Sequence, residues 1–124
     1  MNWYDVWKLP LKLDEYGESY VFDSQGQMAL MFYDEDDKGI TSLGSKTRKK
    51  IVDVINGEIN DTPMLFQHTG GEILDSSGDY IFCIRGWGHL TGVLKLNSSQ
   101  AARIQDDFGN YIVYKLNGTN KQGN

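Results

Sequence analysis

Tyr80-Ile81-Phe82-Cys83-Ile84-Arg85 is the strongest strand candidate in the chain, and punctuated on both sides. Ser76-Ser77-Gly78-Asp79 precedes it as a turn, and Gly86-Trp87-Gly88 breaks it afterwards. A strand with one wet face alternates apolar and polar residues, whereas this run is apolar almost throughout. It is therefore predicted to lie in the centre of a sheet. Upstream, Ser19-Tyr20-Val21-Phe22-Asp23 and residues 27–33 flank Ser24-Gln25-Gly26, the pattern of a hairpin. Residues 64–68 and 72–75 are shorter strand candidates on either side of Gly70-Gly71. Residues 89–96 are read as a return strand after the Gly86-Trp87-Gly88 break.

Two helices complete the set. Ser45 caps a predicted helix over residues 46–56, with Ile51, Val52, Val54 and Ile55 on its apolar face and Gly57 at its end. Its first turn carries Lys46, Arg48, Lys49 and Lys50, which oppose the helix dipole. Either these cations answer the acidic run just before them, which is the preferred reading, or they contact an anionic partner. The second helix begins at Asn97, with Gln100 placed to reach back in a capping box. Ala101, Ile104, Phe108, Ile112 and Leu116 recur every three or four residues along one face, and Asn117-Gly118 stops it. Gly109 inside this helix costs about 1 kcal/mol relative to Ala, which points to close packing against the sheet. Before the first hairpin, Trp7, Leu9, Leu11 and Leu13 alternate, so residues 1–18 are read as an extended segment that Pro10 confines to an edge.

The expected architecture is α+β: a two-layer sandwich with an antiparallel sheet and two helices on one face, in the order ββαββα. Residues 19–60 and 61–118 form the two ββα units, and residues 119–124 a polar tail. The halves echo each other at an offset of 60–61, with Tyr20-Val21-Phe22 against Tyr80-Ile81-Phe82 and Asn56-Gly57 against Asn117-Gly118. Internal repetition is one reading of this echo and chance the other. A length of 124 residues fits one domain of this kind.

Charge and cysteine usage narrow the function classes. The formal net charge is −5, a poor basis for holding nucleic acid by its phosphates, so no direct nucleic-acid binding is expected. All of the imbalance lies in residues 1–62, and Asp34, Glu35, Asp36 and Asp37 form its densest cluster. That cluster is either a solvated loop or an acidic surface that meets a basic partner. Cys83 is the sole cysteine and reads as a small hydrophobe in a strand rather than a nucleophile. His68 and His89 have no Cys at metal-ligand spacing, so no metal is expected, and no cofactor motif is present. The N-terminus lacks a signal-peptide pattern and no apolar run can span a bilayer, which predicts a cytoplasmic protein with no membrane contact.

The most distinctive segment is Arg85-Gly86-Trp87-Gly88-His89-Leu90-Thr91-Gly92. A tryptophan between glycines can project from the surface, and Arg85, His89 and Thr91 supply polar neighbours for an anion, a base or a peptide carboxylate. The alternative is a tight corner with Trp87 folded over the core. Together with Trp7-Lys8-Leu9-Pro10-Leu11 and residues 101–108, this segment resembles small uncharacterised proteins carried by phages, prophages and other mobile elements. That resemblance implies a genetic context and no catalytic residue.

Aromatic residues are plentiful, at 12% of the chain, while catalytic constellations are missing from the sequence. The leading expectation is a non-enzymatic protein-interaction module whose contact residues are Arg85, Trp87, His89 and Thr91. Its partner is another protein, with self-association into a homodimer through an exposed strand as a variant. One alternative is an acidic DNA mimic that blocks a nucleic-acid-binding protein through Asp34, Glu35, Asp36 and Asp37. Another is a small-ligand binder or small enzyme built on Arg85, His89 and Cys83.

Overall fold

The computed structural model describes residues 1–35, 38–60 and 64–122, with side chains described to residue 118. The chain runs through α1 (Trp3–Val6), β1 (Lys12–Leu13), β2 (Tyr20–Phe22), β3 (Met28–Phe32) and α2 (Ser45–Ile55). It continues through β4 (Phe66–Thr69), β5 (Glu72–Asp75), β6 (Tyr80–Ile84), a π-helical turn (His89–Val93) and α3 (Ser98–Gln122). The fold is α+β. Its six strands form one open antiparallel sheet in the order β1-β2-β3-β6-β5-β4. The apolar run 80–84 is β6, one of the two central strands, as its composition requires.

The core lies between the sheet and the helices. Val21, Leu30, Phe32, Phe66, Ile73, Phe82 and Ile84 meet Ile51, Ile55, Ile104, Phe108, Ile112 and Leu116 in one buried cluster. Cross-strand neighbours share a face. The pairs Val21↔Leu30, Leu30↔Ile84 and Ile73↔Phe82 therefore line the helix side, while Tyr20↔Met31, Met31↔Cys83 and Glu72↔Cys83 line the other.

Several details depart from the sequence reading. Each half carries three strands before its helix, not two. The segment 1–18 is not extended throughout: residues 3–6 form a helical turn, and only Lys12–Leu13 pair as an edge strand. The Asp5 carboxylate accepts the Asn2 N–H at 2.8 Å, and Trp3 stacks on Phe108 at 4.9 Å between ring centroids. That tertiary stacking, together with Trp7 on the other flank of Phe108 at 4.8 Å, overrides the alternating pattern. Helix α2 starts at Ser45 itself, capped by Gly44 without a side-chain bond. Helical backbone resumes past a kink at Gly118 and runs to Gln122, beyond the expected stop at Asn117-Gly118.

The largest departure is at residues 89–96, which form no strand. Gly86 adopts φ +103°, a conformation that glycine tolerates and side-chain-bearing residues avoid. A Cβ there would sit 2.9 Å from the Trp7 ring. The chain turns away from the sheet at this point. Leu90 N–H bonds to the Gly86 carbonyl at 2.9 Å and the Leu90 side chain enters the core.

The hairpins of the two halves do repeat, but at a different offset from the one the sequence echo suggests. Under exchange of β1, β2 and β3 with β4, β5 and β6, the sheet order maps onto itself. The β2–β3 and β5–β6 turns, Asp23-Ser24-Gln25-Gly26 and Asp75-Ser76-Ser77-Gly78, lie 52 positions apart. Asp23 Oδ1 accepts the N–H groups of Gln25 and Gln27, and Asp75 Oδ1 those of Ser77 and Asp79. Gly26 N–H bonds to the Asp23 carbonyl at 3.1 Å, and Gly78 N–H to that of Asp75 at 3.1 Å. A bulge interrupts each hairpin just beyond. An offset of 60–61 aligns β2 with β6 instead, two strands in inequivalent places.

The helix ends obey the longer offset. Leu11 N–H donates to Asn56 Oδ1 at 2.7 Å, and Asn56 Nδ2 donates to the Leu11 carbonyl at 2.8 Å. Asn117 makes the same pair of bonds with Phe66, at 2.8 and 3.0 Å. These asparagines are 61 positions apart because α3 is longer than α2.

Candidate functional site

Trp87 projects from the helical turn that follows β6. It is 43% exposed, and Val93 at the far end of the π-helical turn is 66% exposed. The turn is held from beneath. Thr91 Oγ1 donates to the Trp87 carbonyl at 2.9 Å, Leu94 N–H bonds to the His89 carbonyl at 2.9 Å, and Leu96 N–H to that of Leu90 at 3.0 Å. Gly86 packs on Trp7, whose indole is fully buried with no hydrogen-bond partner for its N–H among the described residues. Thr91 is thus partly committed to fixing the backbone, and His89 is half-buried in the same turn. Arg85 is exposed, two residues beyond Cys83.

The acidic run is answered from within the molecule at its first residue. Asp34 pairs with Arg48 Nη1 at 2.8 Å and accepts the Ser19 hydroxyl at 2.5 Å. Those hydrogen bonds, Ser19 first and Arg48 second, hold its carboxyl below the usual range. Arg48 is only 5% exposed although it sits in the first turn of α2. Its guanidinium also donates to the carbonyls of Leu43, Glu18 and Tyr33 and to the Ser42 hydroxyl, and it lies over the Phe32 ring at 5.4 Å. This is the local pairing that the basic first turn suggested, and it removes Arg48 from any external contact. Glu35 is exposed, whereas Asp36 and Asp37 lie outside the described residues.

A second constellation went unread in the sequence because its members are distant in the chain. On the sheet face away from the helices, the Tyr33 hydroxyl bonds to both oxygens of Glu72, at 2.9 and 2.7 Å. Burial, and then this carboxylate, push the Tyr33 phenol well above its ordinary value. The Tyr80 ring stands edge-on to Tyr33, 6.5 Å between centroids at 71°. Cys83, 6% exposed, lies between Met31 and Glu72 in the same row, and burial pushes its thiol up. A raised thiol is the opposite of an activated nucleophile. His68 belongs to neither group: its ring lies against Gly109 of α3, with Nε2 2.8 Å from Asn110 Oδ1.

Among the described residues no group of three or more His, Cys, Asp or Glu side chains is placed to hold a metal ion, and no helix is long and apolar enough to cross a membrane. No protein-family model matches the sequence, and searches of the curated proteins and of the solved structures return no match either.

Proposed function

We propose that the protein is a non-enzymatic interaction module that binds another protein through the turn carrying Trp87. The observation that supports this reading is a large indole exposed on a backbone that is already fixed. Such a side chain loses little entropy on binding, and tryptophan is enriched among the residues that dominate interface energies. Arg85 and His89 supply polar groups beside it. The same reading treats the sheet and its two long helices as a two-layer scaffold, and places the protein in the cytoplasm with Cys83 as a buried free thiol. A phage or mobile-element setting rests on the resemblance of the three sequence stretches alone.

The test is affinity capture from the native host with partners identified by mass spectrometry, followed by titration of the purified pair. Trp87→Ala is expected to weaken binding by about tenfold or more, while Tyr114→Ala, an exposed aromatic on α3, leaves it unchanged. Equal affinity of Trp87→Ala and the parent protein overturns the assignment.

A further inference from the structure

Tyr33, Ile40, Glu72 and Tyr80 line a cavity of about 240 Å³ on the helix-free side of the sheet. The acceptor capacity of Glu72 is only partly used. Each of its oxygens takes the Tyr33 hydroxyl, and among the described ion pairs none involves Glu72. A carboxylate facing aromatic rings without a cationic partner is arranged to receive a positive charge.

The walls suit such a charge. Two phenol rings at 71° present π surface from different directions, the geometry in which ammonium groups are held by ring quadrupoles. Ile40 supplies an aliphatic side. Its position is fixed because Tyr80 N–H bonds to the Gly39 carbonyl at 2.8 Å and Thr41 N–H to the Tyr80 carbonyl at 3.0 Å. The Thr41 hydroxyl is tied in turn to Asp79 at 3.2 Å, which places a second carboxylate near the same strand end. Among the described residues no Lys or Arg lines the cavity; Arg85 lies just past the end of β6, on the far side of Cys83 from Tyr80 in the chain. The volume falls below the roughly 300–1,000 Å³ of pockets that take drug-sized ligands, so the occupant is a single small group.

We propose that this cavity binds an alkylammonium group, with the charged nitrogen against Glu72 and the two tyrosine rings and the carbon stem along Ile40. The group belongs either to a free amine or to a lysine side chain of a protein. The site does not depend on Trp87 making any contact.

The experiment is a titration of the full chain followed by amide NMR. The ligands are n-butylammonium, n-butanol as its neutral analogue, and a short peptide with one central lysine beside its glutamine counterpart. Butylammonium is expected to shift the resonances of Tyr33, Ile40, Glu72 and Tyr80 saturably, and butanol to leave them in place. Glu72→Gln, and independently Tyr80→Leu, are each expected to weaken binding by about tenfold, with the dispersed spectrum confirming that the variant is folded. If one variant fails to fold, the other carries the comparison. A lysine peptide that binds more tightly than butylammonium identifies a protein side chain as the source, and equal binding identifies a small amine. Absence of saturable shifts with both cations, or unchanged binding in a folded variant, overturns the proposal.

Discussion

At Gly109 a Cβ atom would stand 2.8 Å from His68 Nδ1, inside any normal contact. Alanine in this helix interior gains about 1 kcal/mol of propensity, yet the His68 ring is held through Nε2 by Asn110, so it cannot retreat freely. Gly109→Ala is expected to lower stability in urea by about 1–2 kcal/mol. Adding His68→Ala should recover part of that loss, because the two effects are coupled through one contact. The sequence showed that the glycine needed a close neighbour. It did not show which residue, since His68 comes from a strand more than 40 positions earlier. Asp34 carries a pH prediction. Its folded carboxyl titrates below its unfolded value, so its stabilisation is present above the unfolded value and lost as pH falls through the folded one. Denaturation midpoints should therefore drop below about pH 4, and Asp34→Asn should flatten that acid limb without steepening the neutral region.

Among the elements, the edge strands are held by side chains of the helices. Leu11, just before β1, and Phe66, at the start of β4, each present a backbone N–H and C=O outward from the sheet, and Asn56 and Asn117 satisfy both groups as a neighbouring strand would. This ties the end of each helix to the outermost strand of its own half and blunts an edge that would otherwise be open to pairing. Asn117→Ala leaves a buried N–H and C=O without partners and is expected to cost about 1–3 kcal/mol. Asn56→Ala should behave alike, and hydrogen exchange at the Leu11 and Phe66 amides, respectively, should quicken in the variants. The capping box at Asn97 and Gln100 was legible from spacing alone, and both of its bonds form, at 3.0 and 2.9 Å. Residues 89–96 were not legible. Their apolar pattern fits a strand as well as a turn, and the outcome depends on Gly86 meeting Trp7, a contact between segments far apart in the chain.

Across the whole molecule, the two halves join at the β3–β6 pair, where Leu30, Met31 and Phe32 face Ile84, Cys83 and Phe82. The helices of both halves share one core with this seam. Neither half can bury its apolar face alone, so the chain is expected to unfold in one step. Tryptophan fluorescence and far-UV circular dichroism should trace coincident urea transitions, and two separated transitions would show the halves to be independent. The repeat itself was visible in the sequence as Asp-Ser-x-Gly at positions 23 and 75, a spacing of 52. The stronger-looking match of Tyr20-Val21-Phe22 with Tyr80-Ile81-Phe82 concealed it. Apolar strands resemble one another whatever their place in a sheet, whereas a turn residue is fixed by the bonds it must make.

The sequence by itself determined the α+β class, the central place of residues 80–84, both long helices, and the hairpin turns at residues 23–26 and 75–78. All of these rest on periodicity, capping and turn chemistry within a few neighbouring residues. Only the tertiary structure decided that Arg48 would be buried against Asp34, that residues 89–93 beside Trp87 would form a helical turn rather than a strand, and that Tyr33, Glu72 and Tyr80 would meet. Those outcomes depend on strand register and on packing between distant segments, and no local pattern encodes a distance between residues that only folding brings together.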